Sequence, residues 1–242
     1  MRTLLCVLFG LALPFEIYTR ATNVISMSQK RPNTRPIIGI LAMPVVSKYG
    51  DEYIRSDYVK FLESGGARVV PIRSGGGANT TQGPYYESGK IFYDLALQAN
   101  DQGDYFPIWG TCLGLELLTV LTAKKYLLSD TDSKNLTLPL TLAEGYRRSH
   151  VFKHMPHDIL NYLRTEPVAQ NNHQHSILVK DFKASSKLSE FYKILSTNHG
   201  RDHLEFVSFM EALGFEPSNA HIRSLELVTG ALWTLLFVVE PL

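Results

Sequence analysis

Gly110-Thr111-Cys112-Leu113-Gly114 is the segment whose residue types and spacing could do chemistry. Its cysteine has glycine two positions away on either side. It follows the apolar run Phe106-Pro107-Ile108-Trp109 and precedes the apolar stretch Leu115 to Thr122. That is the form of a nucleophile elbow, with sulfur where serine hydrolases place a hydroxyl. The glycines answer a steric demand, because a strand that turns sharply into a helix leaves no room for side chains two before and two after the central residue. A helix starting at the elbow would aim free N–H groups at the sulfur, stabilising the thiolate and lowering its pKa. The N–H of Leu113 would be placed to donate to an oxyanion. The same five residues also fit a buried structural cysteine in a glycine turn.

The elements that must hold such an elbow are legible on both sides of it. Pro36 to Leu41 has the pattern of a central strand, and Tyr53 to Ser64 places Ile54, Tyr58, Phe61 and Leu62 at helical spacing before Gly65-Gly66. Ala67 to Ile72 is a second strand. Together these make a βαβ unit, which implies a parallel pair joined by a right-handed crossover. Ser74-Gly75-Gly76-Gly77 opens a loop that runs to Ser88, and a helix is expected from about Gly89 to Asn100. The Phe106–Trp109 strand and the Leu115–Thr122 helix then flank the elbow. Beyond it, strands are expected at Leu136–Leu142, Ser176–Val179 and Leu204–Phe209, with helices near Pro156–Thr165 and Ser186–Leu195. The reading is one α/β domain without a dividing linker.

Composition narrows the function. The 242 residues carry 24 lysines and arginines against 23 acidic residues, a formal charge of +1, which argues against nucleic acid as a partner. An apolar fraction of 45% with 12 Tyr and 12 Phe belongs to a packed protein. Residues 1–24, with Arg2 ahead of the apolar stretch Leu4 to Leu13, read as a signal peptide, the alternative being a buried terminal element. Its removal would take Cys6 and leave Cys112 as the one mature thiol. Sequons at Asn79-Thr80-Thr81 and Asn135-Leu136-Thr137 are compatible with export. Leu227 to Val239 is too short to span a bilayer.

The blocks Pro36 to Leu41, Tyr53 to Ile72 and Ile91 to Leu118, the last including Asp104-Tyr105-Phe106-Pro107-Ile108-Trp109-Gly110-Thr111-Cys112-Leu113-Gly114, resemble folate γ-glutamyl hydrolase. This is a secreted and lysosomal cysteine peptidase family related to the class I glutamine amidotransferases. The resemblance covers about residues 35 to 212. It implies a doubly wound, mostly parallel sheet flanked by helices (flavodoxin-like), a γ-glutamyl hydrolase-like domain over 25–211 and a divergent tail over 212–242. It implies hydrolysis of folylpoly-γ-glutamates and antifolate polyglutamates through an acyl-enzyme, without a cofactor, and suggests a homodimer in the secretory pathway, extracellular space and lysosome. On the family's pattern Cys112 is the nucleophile, Gly75 and Gly76 resemble an oxyanion turn beside Leu113, and His173 lines the substrate site. His175 falls where the family usually has an aromatic residue. Read by themselves, Gly75 to Gly77 are a flexible loop and the two histidines are loop residues, with no third ligand nearby to make a metal site.

Two departures from the pattern stand out. Arg73 runs directly into Ser74-Gly75, where the family interposes a helix and a strand, so the sheet is expected to be incomplete. The family's Trp-His-Pro-Glu segment, which supplies the catalytic histidine, has no counterpart: neither Trp109 nor Trp233 is followed by histidine. His221 is a weak substitute base, with Arg223 two positions on. The alternative reading is therefore a catalytically impaired member that binds folylpolyglutamate.

Overall fold

The computed structural model describes residues 35–104 and 106–213, together with the backbone of two strands at 225–228 and 234–238. The expected signal peptide, Cys6, His221 and Arg223 lie outside the described residues. Among the described residues, no helix is long and apolar enough to cross a membrane.

The first strand, β1 (Ile37–Leu41), carries the apolar run opened by Pro36, and its last three residues are buried. Between this strand and the next helix the chain forms a hairpin of β2 (Met43–Ser47) and β3 (Gly50–Tyr53). Helix α1 (Ser56–Ser64) follows, with Asp57 accepting the Tyr58 N–H at 3.1 Å in its first turn. It ends at Gly65-Gly66, and Gly66 has a φ of 91° that favours glycine. Its Tyr58 packs with Ile40 in a small apolar cluster. β4 (Arg68–Ile72) then pairs in parallel with β1, Ile37 opposite Arg68 through Leu41 opposite Ile72, so the expected βαβ unit is present.

Helix α2 (Pro84–Asp101) begins five residues earlier than its apolar periodicity suggests, because Pro84 occupies a position in the first turn where its missing N–H costs nothing. β5 (Ile108–Thr111) leads into α3 (Leu113–Ala123), in which ten of eleven residues are buried. A helix buried on nearly every side belongs in the middle of a core. Leu117 and Leu118 are fully buried there, each contributing roughly 1.5–3 kcal/mol by removal from water.

The second half is more broken than expected. The single Leu136–Leu142 strand divides at Pro139, which supplies no N–H to a ladder, into β7 (Leu136–Leu138) and β8 (Thr141–Leu142), after the short β6 (Leu128–Asp130). α4 (His157–Thr165) lies close to its expected place, followed by β9 (Ala169–Asn171) and β10 (His175–Ile177). The helix expected over Ser186–Leu195 is wrong beyond its first turn. After α5 (Val179–Ala184), α6 (Ser186–Ser189) is a single turn, and Tyr192 to His199 form strand β11, whose aromatic and branched side chains suit a ladder. β12 (Glu205–Ala212) returns antiparallel to it across a five-residue turn.

The main sheet has eight strands in the order β4-β1-β14-β5-β13-β12-β11-β8, where β13 is Leu225–Val228 and β14 is Thr234–Val238. Only the β1/β4 and β5/β13 pairs are parallel; the other five neighbours run antiparallel. The protein is therefore mixed α/β rather than visibly mostly parallel. The cause is local: the tail folds back as β14 between β1 and β5, antiparallel to both, and the β11–β12 hairpin reverses direction.

Candidate active site

The elbow is built as the glycine spacing requires. Cys112 sits between β5 and α3 with φ 52° and ψ −108°, a left-handed backbone that a non-glycine residue adopts at a cost of order 1–3 kcal/mol. A Cβ on Gly110 would lie 2.7 Å from the Gly114 carbonyl carbon and oxygen, so glycine is obligatory there. The Glu116 N–H closes the first turn of α3 on the Cys112 carbonyl at 3.0 Å.

The electrostatics run opposite to the sequence expectation. The Cys112 thiol is pushed up to about 12, first by burial and then by the Glu116 carboxylate, and the opposing Leu113 N–H and Arg55 charge do not offset them. Cys112 is only 7% exposed, and desolvating a thiolate costs more here than one helix N-terminus returns. Burial also raises the Glu116 carboxyl to about 7. The hydroxyls of Tyr58 and Tyr85 are buried without a hydrogen-bond partner, and both are raised, first by burial and then by the Cys112 thiolate charge.

A cleft of about 660 Å³ opens in front of Cys112, bordered by the Ala78–Thr81 loop, Glu116, Tyr126, Lys134 and the 172–175 segment. His173 lies in its wall but is not paired with the sulfur. Its Nδ1 meets Ser176 Oγ at 2.9 Å and Ser133 Oγ at 2.8 Å, and its Nε2 faces Asn171 Oδ1 at 3.3 Å. Because the Asn171 amide nitrogen donates to the Leu136 and Ala169 carbonyls, its oxygen must accept from Nε2–H, which assigns Nδ1 as the acceptor. Burial lowers this histidine to about 4, so it is neutral at physiological pH with both nitrogens engaged. His175 is exposed and sits 2.9 Å from Asp130. Among the described residues no histidine hydrogen-bonds Cys112 Sγ, and no group of three metal-ligating side chains occurs.

The glycine turn is committed elsewhere. Glu52, from β3, accepts the Gly75 N–H at 2.6 Å and the Ser74 N–H at 2.7 Å, while Arg73 Nε donates to its other oxygen at 2.6 Å. Burial would raise this carboxylate, but these donors outweigh it and hold it at about 2. Gly75 and Gly76 do not border the Cys112 cleft; the residues just after them do. Asn79 is exposed at the cleft rim, its Oδ1 accepting from Thr81 Oγ1 and N–H at 2.7 Å each. Asn135 is exposed, with φ 50°. Glu116 escaped the sequence reading although its position, one helical turn after the cysteine, was the available signal. Nothing in the sequence connects Glu52 to Ser74.

Residues 35–212 match the family described as Peptidase C26. The chain belongs to the peptidase C26 family. It is 42% identical over 204 residues to a protein named gamma-glutamyl hydrolase from Mus musculus, covering 75% of this chain and 64% of that one. It is 38% identical over 214 residues to gamma-glutamyl hydrolase of Homo sapiens, covering 77% and 67%. For gamma-glutamyl hydrolase B of Dictyostelium discoideum the identity is 36% over 206 residues, covering 74% and 59%. The chain thus spans about two thirds or less of the length of these relatives. The peptidase C26 match takes in the elbow, the cleft loop and His173, whereas β13 and β14 lie beyond it.

Proposed function

We propose that this peptidase C26 chain hydrolyses γ-glutamyl isopeptide bonds in folylpoly-γ-glutamates and antifolate polyglutamates. The observation that carries the reading is the strained Cys112 elbow at the floor of a cleft, in a chain whose relatives are named for that reaction. The Cys112 sulfur attacks the isopeptide carbonyl, the C–N bond breaks, the amine leaves with a proton, and water cleaves the thioester. Leu113 N–H is the donor nearest the oxyanion. Gly76 could join it, whereas Gly75 would first have to leave Glu52. His173, neutral and locked, shapes the substrate wall rather than moving protons. The sheet belongs with the doubly wound class I glutamine amidotransferase arrangement, with β14 inserted. Export through the secretory pathway to lysosome and extracellular space, glycans on Asn79 and Asn135, and a homodimer accompany this reading.

A second reading is favoured by one observation: among the described residues the thiol has no histidine partner. At about 12, roughly one thiol in 10⁵ is ionised at neutral pH. In that case the chain binds folylpolyglutamate with little turnover. Glutamate release from a folylpentaglutamate by the purified chain, beside Cys112→Ala, decides between them. A Cys112-dependent rate supports hydrolysis, and equal rates leave binding alone.

A further inference from the structure

We propose that a second cleft, which shares Thr81 and Tyr126 with the one in front of Cys112, is a subsite for the free carboxylates of a γ-linked glutamate tail. The inference rests on the γ-glutamyl reading above. This cleft, of about 470 Å³, lies between α2 and the end of α3, and Thr81 and Tyr126 border both it and the Cys112 cleft.

Its charge is one-sided. Lys90, Lys124 and Lys125 line it, against a single acidic residue, Asp94. Asp94 is already paired with Lys90 at 2.5 Å, one helical turn away. Lys124 and Lys125 have no carboxylate partner among the described residues, and both are exposed. They are held together at the C-terminus of α3, where Lys124 adopts φ 54° and its N–H caps the Val120 carbonyl at 2.8 Å. That end of the helix favours cations, so the two ammonium groups are positioned without being neutralised. Tyr86 adds an aromatic wall that can lie along the methylenes of a flexible anionic chain.

The reach fits a tail of defined length. Twelve residues separate Cys112 from Lys124, which at the helical rise is about 18 Å. A γ-linked glutamate, longer than an α-peptide unit by two methylene bonds, spans about 6 Å. Because α3 is buried, a tail must go around it, and the lysines therefore lie at least about three residues past the scissile bond. A diglutamate, with one residue on the leaving side, does not reach them, and a pentaglutamate does.

The test measures binding of folyl-γ-diglutamate and folyl-γ-pentaglutamate calorimetrically to the full chain carrying Cys112→Ala, with and without K124N/K125Q. Asparagine tolerates the left-handed backbone at position 124, so charge is removed without disturbing the turn. The pentaglutamate should bind about tenfold tighter than the diglutamate, as two exposed ion pairs allow, and added salt should erode the preference. In K124N/K125Q the preference should fall to about twofold or less with diglutamate affinity unchanged. Equal binding of both ligands before the substitutions, a preference that survives them, or a parallel loss of diglutamate binding would each overturn the subsite. These outcomes are independent of catalysis. Absent glutamate release by the Cys112 protein sinks the hydrolytic reading alone, whereas failure to bind either ligand sinks both.

Discussion

Glu116 stands one helical turn beyond Cys112 and borders the same cleft, and its carboxylate is one of the two causes that hold the thiol at about 12. A helix N-terminus usually activates a cysteine. Here the acid on its first turn opposes that effect, and burial adds to the opposition.

Replacing Glu116 by Gln removes the negative charge and should lower the thiol pKa. Alkylation of Cys112 by iodoacetamide at mildly alkaline pH should then speed up, by about two- to tenfold. An unchanged or slower rate would mean that burial alone sets the thiol.

Gly110→Ala should be strongly destabilising. The added methyl would stand 2.7 Å from the Gly114 backbone, where no side chain can swing aside. We expect a loss of about 1–3 kcal/mol or more in denaturant unfolding, since the turn itself must open. A variant of parental stability would show that the elbow has slack.

Glu52 makes a pH-dependent clasp on the Ser74–Gly75 turn. Its folded pKa of about 2 lies below the ordinary 4.5, so the folded state binds fewer protons; the stabilisation is complete above 4.5 and disappears as pH falls through 2. Because Arg73 on one side of the clasp is largely exposed, the contribution is discounted to about 1–2 kcal/mol. Glu52→Gln should be less stable than the parent in urea unfolding at neutral pH, and the difference should shrink towards about pH 2.5. A gap independent of pH would contradict the charge-based account.

His173 is also depressed, to about 4 from 6.5, so its contribution is present above 6.5 and is lost as pH falls towards 4. A proton-resonance titration should show this imidazole still neutral at about pH 5. Titration near 6.5 would mean that the Ser133–Ser176–Asn171 cage is open in solution.

The first half of the fold was legible because its signals are local. Apolar runs at Ile37–Leu41 and Arg68–Ile72, helical spacing before Gly65, and glycines around Cys112 each prescribe one element. The second half was legible in part: strands near Leu136–Leu142, Ser176–Val179 and Leu204–Phe209 and the helix near Pro156–Thr165 were expected, but Tyr192–His199, expected to begin as helix, is a strand held by a partner later in the chain. At the site, the elbow was readable down to the glycine that cannot carry a Cβ. The electrostatics were not, since they depend on how deeply Cys112 and Glu116 are buried, and the loss of Gly75 to Glu52 depends on a hairpin that no periodicity announced.

The placement of β14 has a kinetic consequence. Ile38 meets Val238 across 200 residues of chain, and Thr111 meets Thr234 across 123. β1 and β5 must therefore keep open hydrogen-bonding edges on their facing sides while everything between them and β14 is synthesised. Closing contacts this distant is slow, and edges left waiting invite pairing with other chains. The yield of correctly folded protein should thus depend on protection during synthesis more than on the stability of the finished sheet.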